Sequence, residues 1–240
     1  MVALDIVGEC KRHHETTARH CAIEQETDVY TPDQQVISTW ALESPRQLFE
    51  VGLFIQCTIN THFEQVPGMM AEARQEGRNS KYWNPTKRRA YDALLSESQS
   101  LWHDFRWWHT RRQDTGDNAD ITEAAIARLV DLPGFGIVKA AFMAQLVLGL
   151  GGCLDRHNLR KAGLDERIFQ RIPSTAEGLH ARIKTYVQTC LALGGSEALW
   201  NQWATMLSVA RPASFPTADH VSRWHVTCLC GDSTRHPQEE

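Results

Sequence analysis

A chain of 240 residues, 42% of them hydrophobic, is long enough for one large domain or two small lobes and too apolar for a disordered segment. Its net charge of −4 and pI near 6.3 exclude a global basic coat, so any contact with nucleic acid has to be local, from clustered Arg and Lys or from backbone amides. The seven cysteines are odd in number and scattered, which points to a reducing compartment without disulfides. The longest apolar run, from Ala140 to Leu154, is interrupted by Gln145 and glycines and is too short to span a bilayer. The early residues contain no signal-like apolar region. A soluble, cytoplasmic protein is expected.

Residues 1–30 are polar and histidine-rich and read as a loose arm. Cys10, His13, His14, His20 and Cys21 match no standard zinc spacing, so no metal is expected there. Asp33 to Leu42 reads as a short helix after Pro32. Ser44-Pro45 then opens a helix, with Ser44 as N-cap and a stripe of Leu48, Val51, Phe54, Ile55 and Ile59. Val66 to Glu76 is helical and closes at Gly77, before the basic turn from Arg78 to Lys81. Asn84-Pro85 opens a long amphipathic helix that ends in Trp102, Phe105, Trp107, Trp108, Arg111 and Arg112. Core packing is expected for at least two of the three tryptophans. A polar loop is expected from Gln113 to Asn118.

Helices follow at Ile121–Val130 and Ile137–Leu148. A glycine-rich break covers Gly149 to Gly152, and a short helix begins at His157. Thr175 to Leu193 is amphipathic and capped by Gly194-Gly195. Ser196–Leu207 and Thr217–Leu229 complete the helices, each opened by Ser or Thr. Cys57, Cys153 and Cys190 sit in apolar stretches and read as buried small hydrophobes. Strand signals are weak throughout, so the chain is expected to be all-α. It divides into an arm (1–30), a helical domain (31–231, with a hairpin at 121–149) and a tail (232–240).

Between two of these helices lies Leu132-Pro133-Gly134-Phe135-Gly136. Proline ends the first helix because it lacks an N–H and biases its predecessor away from helix. Two glycines permit positive φ and remove Cβ atoms from the surface. The amides of Gly134, Gly136 and Ile137 are then free at the start of a new helix. With the helix dipole they form an anion site suited to a DNA phosphate. Pro133, Gly134, Gly136, Ile137 and Lys139 are the candidate DNA contacts, with room for a monovalent cation at the hairpin and no other cofactor. Such a contact grips the backbone and carries no sequence information. The bland alternative is a tight helix–helix turn with no ligand.

The chain continues Gly151-Gly152-Cys153-Leu154-Asp155-Arg156-His157-Asn158-Leu159-Arg160. Asp155 is the natural N-cap of the next helix. A carboxylate oriented by amides is also preorganised for electrostatic work. His157 alone reads more readily as a packed structural histidine than as a proton donor.

The hairpin, the helix after it and Asp-x-His-x-x-Arg at this distance resemble the helix-hairpin-helix base-excision DNA glycosylases. The resemblance covers roughly residues 45–165. It implies two all-α lobes with a DNA cleft between them, a catalytic carboxylate at Asp155, and His157 and Arg160 as its structural or substrate-positioning neighbours. The stretch from Leu48 to Thr61 looks like the family's early helix, which implies that Asn60 lies near an extruded base. Two features depart from the family. The lyase lysine's position is Val138, with Lys139 one residue on and about 100° round the helix. The four-cysteine iron–sulfur loop is missing, and Cys228-Leu229-Cys230 does not supply it.

The segments Gly151–Arg160 and Ala218-Asp219-His220-Val221-Ser222-Arg223-Trp224-His225 are similar to a bacteriophage branch, the α-glutamyl/putrescinyl thymine pyrophosphorylases, or amino acid:DNA transferases. That similarity implies DNA hypermodification: an amine or amino acid displaces pyrophosphate from pyrophosphorylated 5-hydroxymethyluracil. The partners are then double-stranded DNA with a modified base and a small amine, with no membrane. Pyrophosphate needs cationic clamps, for which Arg156, Arg160, Arg78, Lys81, Arg111 and Arg112 are candidates. Two alternatives stand beside this one: a monofunctional glycosylase and a non-enzymatic DNA-binding module.

Overall fold

The computed structural model describes residues 32–58, 61–115 and 118–230, and every regular element among them is helical. α1 (Pro32–Glu43) is followed by α2 (Pro45–Thr58), a 3₁₀ turn at Phe63–Gln65, α3 (Val66–Glu76), a second 3₁₀ turn at Gly77–Asn79, and α4 (Pro85–Thr115). Then come α5 (Asn118–Val130), α6 (Ile137–Leu148), α7 (Arg156–Lys161), α8 (Ala176–Ala192), α9 (Gly195–Ala210) and α10 (Ala218–Cys230). No helix among the described residues is long and apolar enough to cross a membrane.

The helix boundaries follow side-chain chemistry. Ser44 Oγ accepts from the Gln47 amide at 3.3 Å and opens α2; Asn84 Oδ1 accepts from the Lys87 amide at 2.9 Å and opens α4. Thr175 caps α8 by accepting from the Gly178 amide at 3.1 Å. Some expected boundaries differ. α4 runs on through Thr115, where a loop from Gln113 is expected from composition alone. α9 begins at Gly195 behind Gly194 rather than on a serine cap, and Ser196 Oγ is left without a partner. The arm at 1–30, Asn60 and Gly116 lie outside the described residues, as does the tail.

α2 and α6 form the centre. Nine residues of α2, from Leu48 to Cys57, are buried, and α6 buries a further nine. Most of each helix is buried; Arg46, in the first turn of α2, is exposed. α4 packs along α2, closely enough that a Cβ at Gly52 would meet Leu94 Cδ2 at 2.8 Å. α5 lies on α6, and α8 lies on α5. α1 contacts α2, α6 and α10, so the last helix closes against the first. Arg74 fastens this closure: it pairs with Glu50 at 2.8 Å and donates to the Leu229 carbonyl at 3.0 Å, near the C-terminal end of α10. A cation there also complements the helix dipole. A smaller apolar cluster of Ala204, Leu207, Phe215 and Val221 joins α9 to α10. Of the three tryptophans, Trp108 is buried and Trp102 is half-buried with its N–H on the Leu42 carbonyl at 2.9 Å, while Trp107 is exposed beside Arg111.

Candidate active site

The hairpin is built as a turn clamped between helices. Leu132 and Phe135 are buried, and the Phe135 amide donates to the Leu132 carbonyl at 3.1 Å. Gly134 has φ +83°, and a Cβ there would lie 2.9 Å from Ala90 Cβ on α4. Only glycine suits both demands. Gly136 is different: it is extended, it caps α6, and nothing lies within 4 Å of the position a Cβ would take. None of the turn and cap hydrogen bonds among the described residues uses the amides of Gly134, Gly136 or Ile137. Pro133 is exposed beside them.

Lys139 does not extend this surface. It is half-buried, and its ammonium donates to the Gly134 carbonyl at 2.7 Å and to Gln56 Oε1 at 3.4 Å. Burial, with Lys87 nearby, pushes its pKa down to about 8. An amine in this state is neutral in a useful minority of molecules near pH 7.

The loop between α6 and α7 is held from three sides. The buried Tyr186 hydroxyl donates to the Gly152 carbonyl at 2.7 Å and accepts from the Leu154 amide at 2.8 Å. Burial drives its pKa well up, so it stays a phenol. Gln145 accepts from the Cys153 amide at 3.0 Å and donates to the Ser196 carbonyl at 3.0 Å. Asn158 donates to the Cys153 carbonyl at 2.6 Å. Gly152 lies against Leu199 so closely that any Cβ would collide. At the end of this loop Asp155 caps α7, with Oδ1 accepting from the Asn158 amide at 2.9 Å.

These elements enclose a cavity of about 710 Å³. One wall carries Asp155, Arg156, His157 and Asn158; α6 contributes Val138, Lys139 and Phe142; α9 contributes Trp200 and Trp203; and α10 contributes His225. Thr58 and Thr61 line it on either side of the segment that holds Asn60. Among the sequence candidates, Asp155, Arg156, His157 and Lys139 therefore meet in one cavity. The one-residue shift at Val138 does not take Lys139 off the wall, because both residues line it. Arg160 is not on the wall; it is exposed and bound to Glu166 at 2.7 Å, and Glu166 is the member of that pair that lines the cavity. Arg78 and Lys81 are paired away from it, with Asp92 at 2.8 Å and Glu72 at 3.0 Å. Arg111 and Arg112 are not on its wall either. His157 is exposed, contrary to the expectation of a packed histidine, since it projects from the first turn of a six-residue helix at the surface.

Sequence reasoning missed Arg211, which lines the cavity and pairs with Glu64 at 2.7 Å, and it missed the aromatic end formed by Trp200, Trp203 and His225. The cysteines among the described residues are poor nucleophiles: burial raises the Cys57 thiol to about 12 and pushes Cys153 and Cys190 up as well. Among the described residues, no three His, Cys, Asp or Glu side chains come together as a metal-binding group. Comparison with protein-family models, curated proteins and solved structures gives no significant match to this chain.

Proposed function

We propose that this chain grips duplex DNA with the Leu132–Gly136 hairpin and modifies a base turned out into the adjoining cavity, with Asp155 as the catalytic carboxylate. The observation that carries this reading is convergence: Lys139, three residues past the hairpin, and Asp155, the cap of α7, line the same cavity of about 710 Å³. A phosphate on the hairpin amides sets the strand beside that cavity. Its volume falls in the range of small-ligand sites. A base edited in duplex DNA has to leave the stack to enter it.

The reaction we favour is displacement of pyrophosphate from pyrophosphorylated 5-hydroxymethyluracil by an amine or amino acid. The bond from the exocyclic methylene to the pyrophosphate oxygen breaks, a carbon–nitrogen bond forms, and the amine loses a proton. Asp155 serves by accepting that proton or by stabilising positive charge at the methylene. Arg156 and Arg211, both on the cavity wall, supply charge for the departing pyrophosphate. In this reading the chain is a two-lobed, glycosylase-like transferase of phage DNA hypermodification. The test is incubation with a duplex containing the pyrophosphorylated base and a mixture of amino acids and polyamines, followed by mass spectrometry of the nucleosides. An amino-substituted thymidine with released pyrophosphate is expected. Abasic sites instead would sink the transferase reading. Bound but unaltered duplex would leave a non-enzymatic module.

One observation favours a second reading, base excision. Lys139 lines the cavity, and burial pushes its pKa down to about 8, which suits attack on a sugar carbon as well as proton transfer. Under that reading borohydride traps a covalent protein–DNA adduct, and Lys139→Gln abolishes the trapping.

A further inference from the structure

His225 is fully buried on α10, yet it lines the cavity. Its Nδ1 lies 2.8 Å from the Val221 carbonyl, one turn back on its own helix. A carbonyl only accepts, so Nδ1 carries the ring proton and Nε2 is a bare acceptor. That acceptor has no partner among the described residues. Buried acceptors are nearly always partnered, and the exceptions ask for an explanation such as a missing ligand.

The ring cannot swing away to find a partner elsewhere. Trp200, Trp203 and Phe142, which also line the cavity, lie 4.9, 5.1 and 6.5 Å from it between centroids. Phe54 and Trp224 brace it from the core at 5.5 and 4.9 Å. The Trp200 N–H is already committed to Ser222 Oγ at 2.9 Å. Burial holds the imidazole pKa down to about 4, so the ring stays neutral in ordinary buffers. The aromatic end of the cavity thus contains a buried ring acceptor, His225 Nε2, that no neighbour among the described residues satisfies. Such walls stack on planar rings of any kind, so the acceptor has to make the distinction.

We infer that His225 is the specificity-determining residue of the cavity, accepting at Nε2 a hydrogen bond from the ring N–H of a thymine- or uracil-type base. The inference rests on the reading that the cavity receives a base. In thymine and uracil the N3 atom carries a hydrogen. In cytosine N3 is a lone pair, which would face the lone pair of Nε2. The cost of that mismatch is two unpaired acceptors in a dry site, the kind of discrimination that a purely apolar pocket cannot make.

The test uses the full chain and three otherwise identical duplexes, each with one mismatched base: thymine, N3-methylthymine or cytosine. Fluorescence anisotropy reads DNA binding, and quenching of the tryptophans reads a base in the cavity. Thymidine, N3-methylthymidine and deoxycytidine serve as free probes in parallel. Quenching by the thymine probes at concentrations at least about tenfold lower than by the other two is expected. His225→Phe should erase the difference, and His225→Gln, which keeps an acceptor, should restore part of it. Equal quenching by thymine and N3-methylthymine in the unaltered protein overturns the inference without needing a variant to fold, and leaves the DNA reading standing. Discrimination among free nucleosides without any duplex binding overturns the DNA reading and keeps the ring selection. Absence of quenching by every probe overturns the inference outright.

Discussion

At Asp155 one carboxylate oxygen accepts from the Asn158 amide at 2.9 Å while the residue lines the cavity. Cap and charge are separable, because asparagine caps a helix about as well as aspartate. Asp155→Asn should therefore melt close to the unaltered protein and lose at least about 100-fold in turnover, the scale on which preorganised electrostatic groups act. Asp155→Ala should lose the cap as well, about 1 kcal/mol by thermal or urea unfolding. Full turnover in the asparagine variant would show that the charge is unused. His225 gives a second prediction at this scale, of opposite kind. Its pKa falls from 6.5 to about 4 on folding, so below pH 6.5 the unfolded chain takes up a proton that the folded chain refuses. The stability this represents is complete above pH 6.5 and is lost as pH falls towards 4. Urea unfolding at pH 7 and pH 4.5 should differ by about 2.5 kcal/mol from this group alone. Carboxylates titrate in the same window, so the check is His225→Phe, whose loss over that interval should be smaller by about that amount.

At the scale of elements, the two hairpin glycines make a controlled pair. Gly134 has φ +83° and would drive a Cβ to 2.9 Å from Ala90, so Gly134→Ala should destabilise the fold by about 1–3 kcal/mol. Gly136 has an ordinary extended backbone and open space around it. Gly136→Ala should cost no more than about 1 kcal/mol. It nevertheless places a methyl group where a phosphate would approach the amides. Duplex affinity measured by anisotropy should drop about tenfold in this variant with little change in melting; unchanged affinity would mean that the hairpin is only a turn. The sequence displayed these elements well wherever a boundary had its own chemistry: Ser44-Pro45, Gly77, Asn84-Pro85, Gly136 and Thr175 all mark helix ends. It misled where a boundary was inferred from polarity alone. Residues 113–115 are polar and still extend α4, because polarity alone does not stop a helix that no proline or glycine breaks.

For the molecule as a whole, half of the candidate site could be read in one dimension and half could not. Asp155 and the hairpin lie within 24 residues of each other and belong to one local pattern. The opposite wall comes from α9 and α10, and its partners are brought together only by tertiary packing: His225 meets Phe54 from 171 positions earlier at 5.5 Å. Those residues look like any apolar helix face until the helices are packed. Arg211 was hidden for the same reason, since its partner Glu64 is 147 positions away. The charge balance has a consequence at this scale. The chain carries a net −4, and the cationic side chains on the cavity wall are few, chiefly Arg156, Arg211 and the partly neutral Lys139. Arg78, Lys81 and Arg128 are tied up in ion pairs with Asp92, Glu72, Glu97 and Asp104. Binding to duplex should then release few counterions. Each phosphate neutralised contributes about −0.9 to the slope of log K against log salt, so a slope of about −2 to −3 is expected, or a loss of roughly 16- to 64-fold between 50 and 200 mM. Arg156→Gln should make the slope shallower by nearly one unit. A slope near −6 would reveal a second basic surface and remove the hairpin and cavity wall from their place as the main DNA contact; a slope near zero would mean that the phosphates are not the partner of this face.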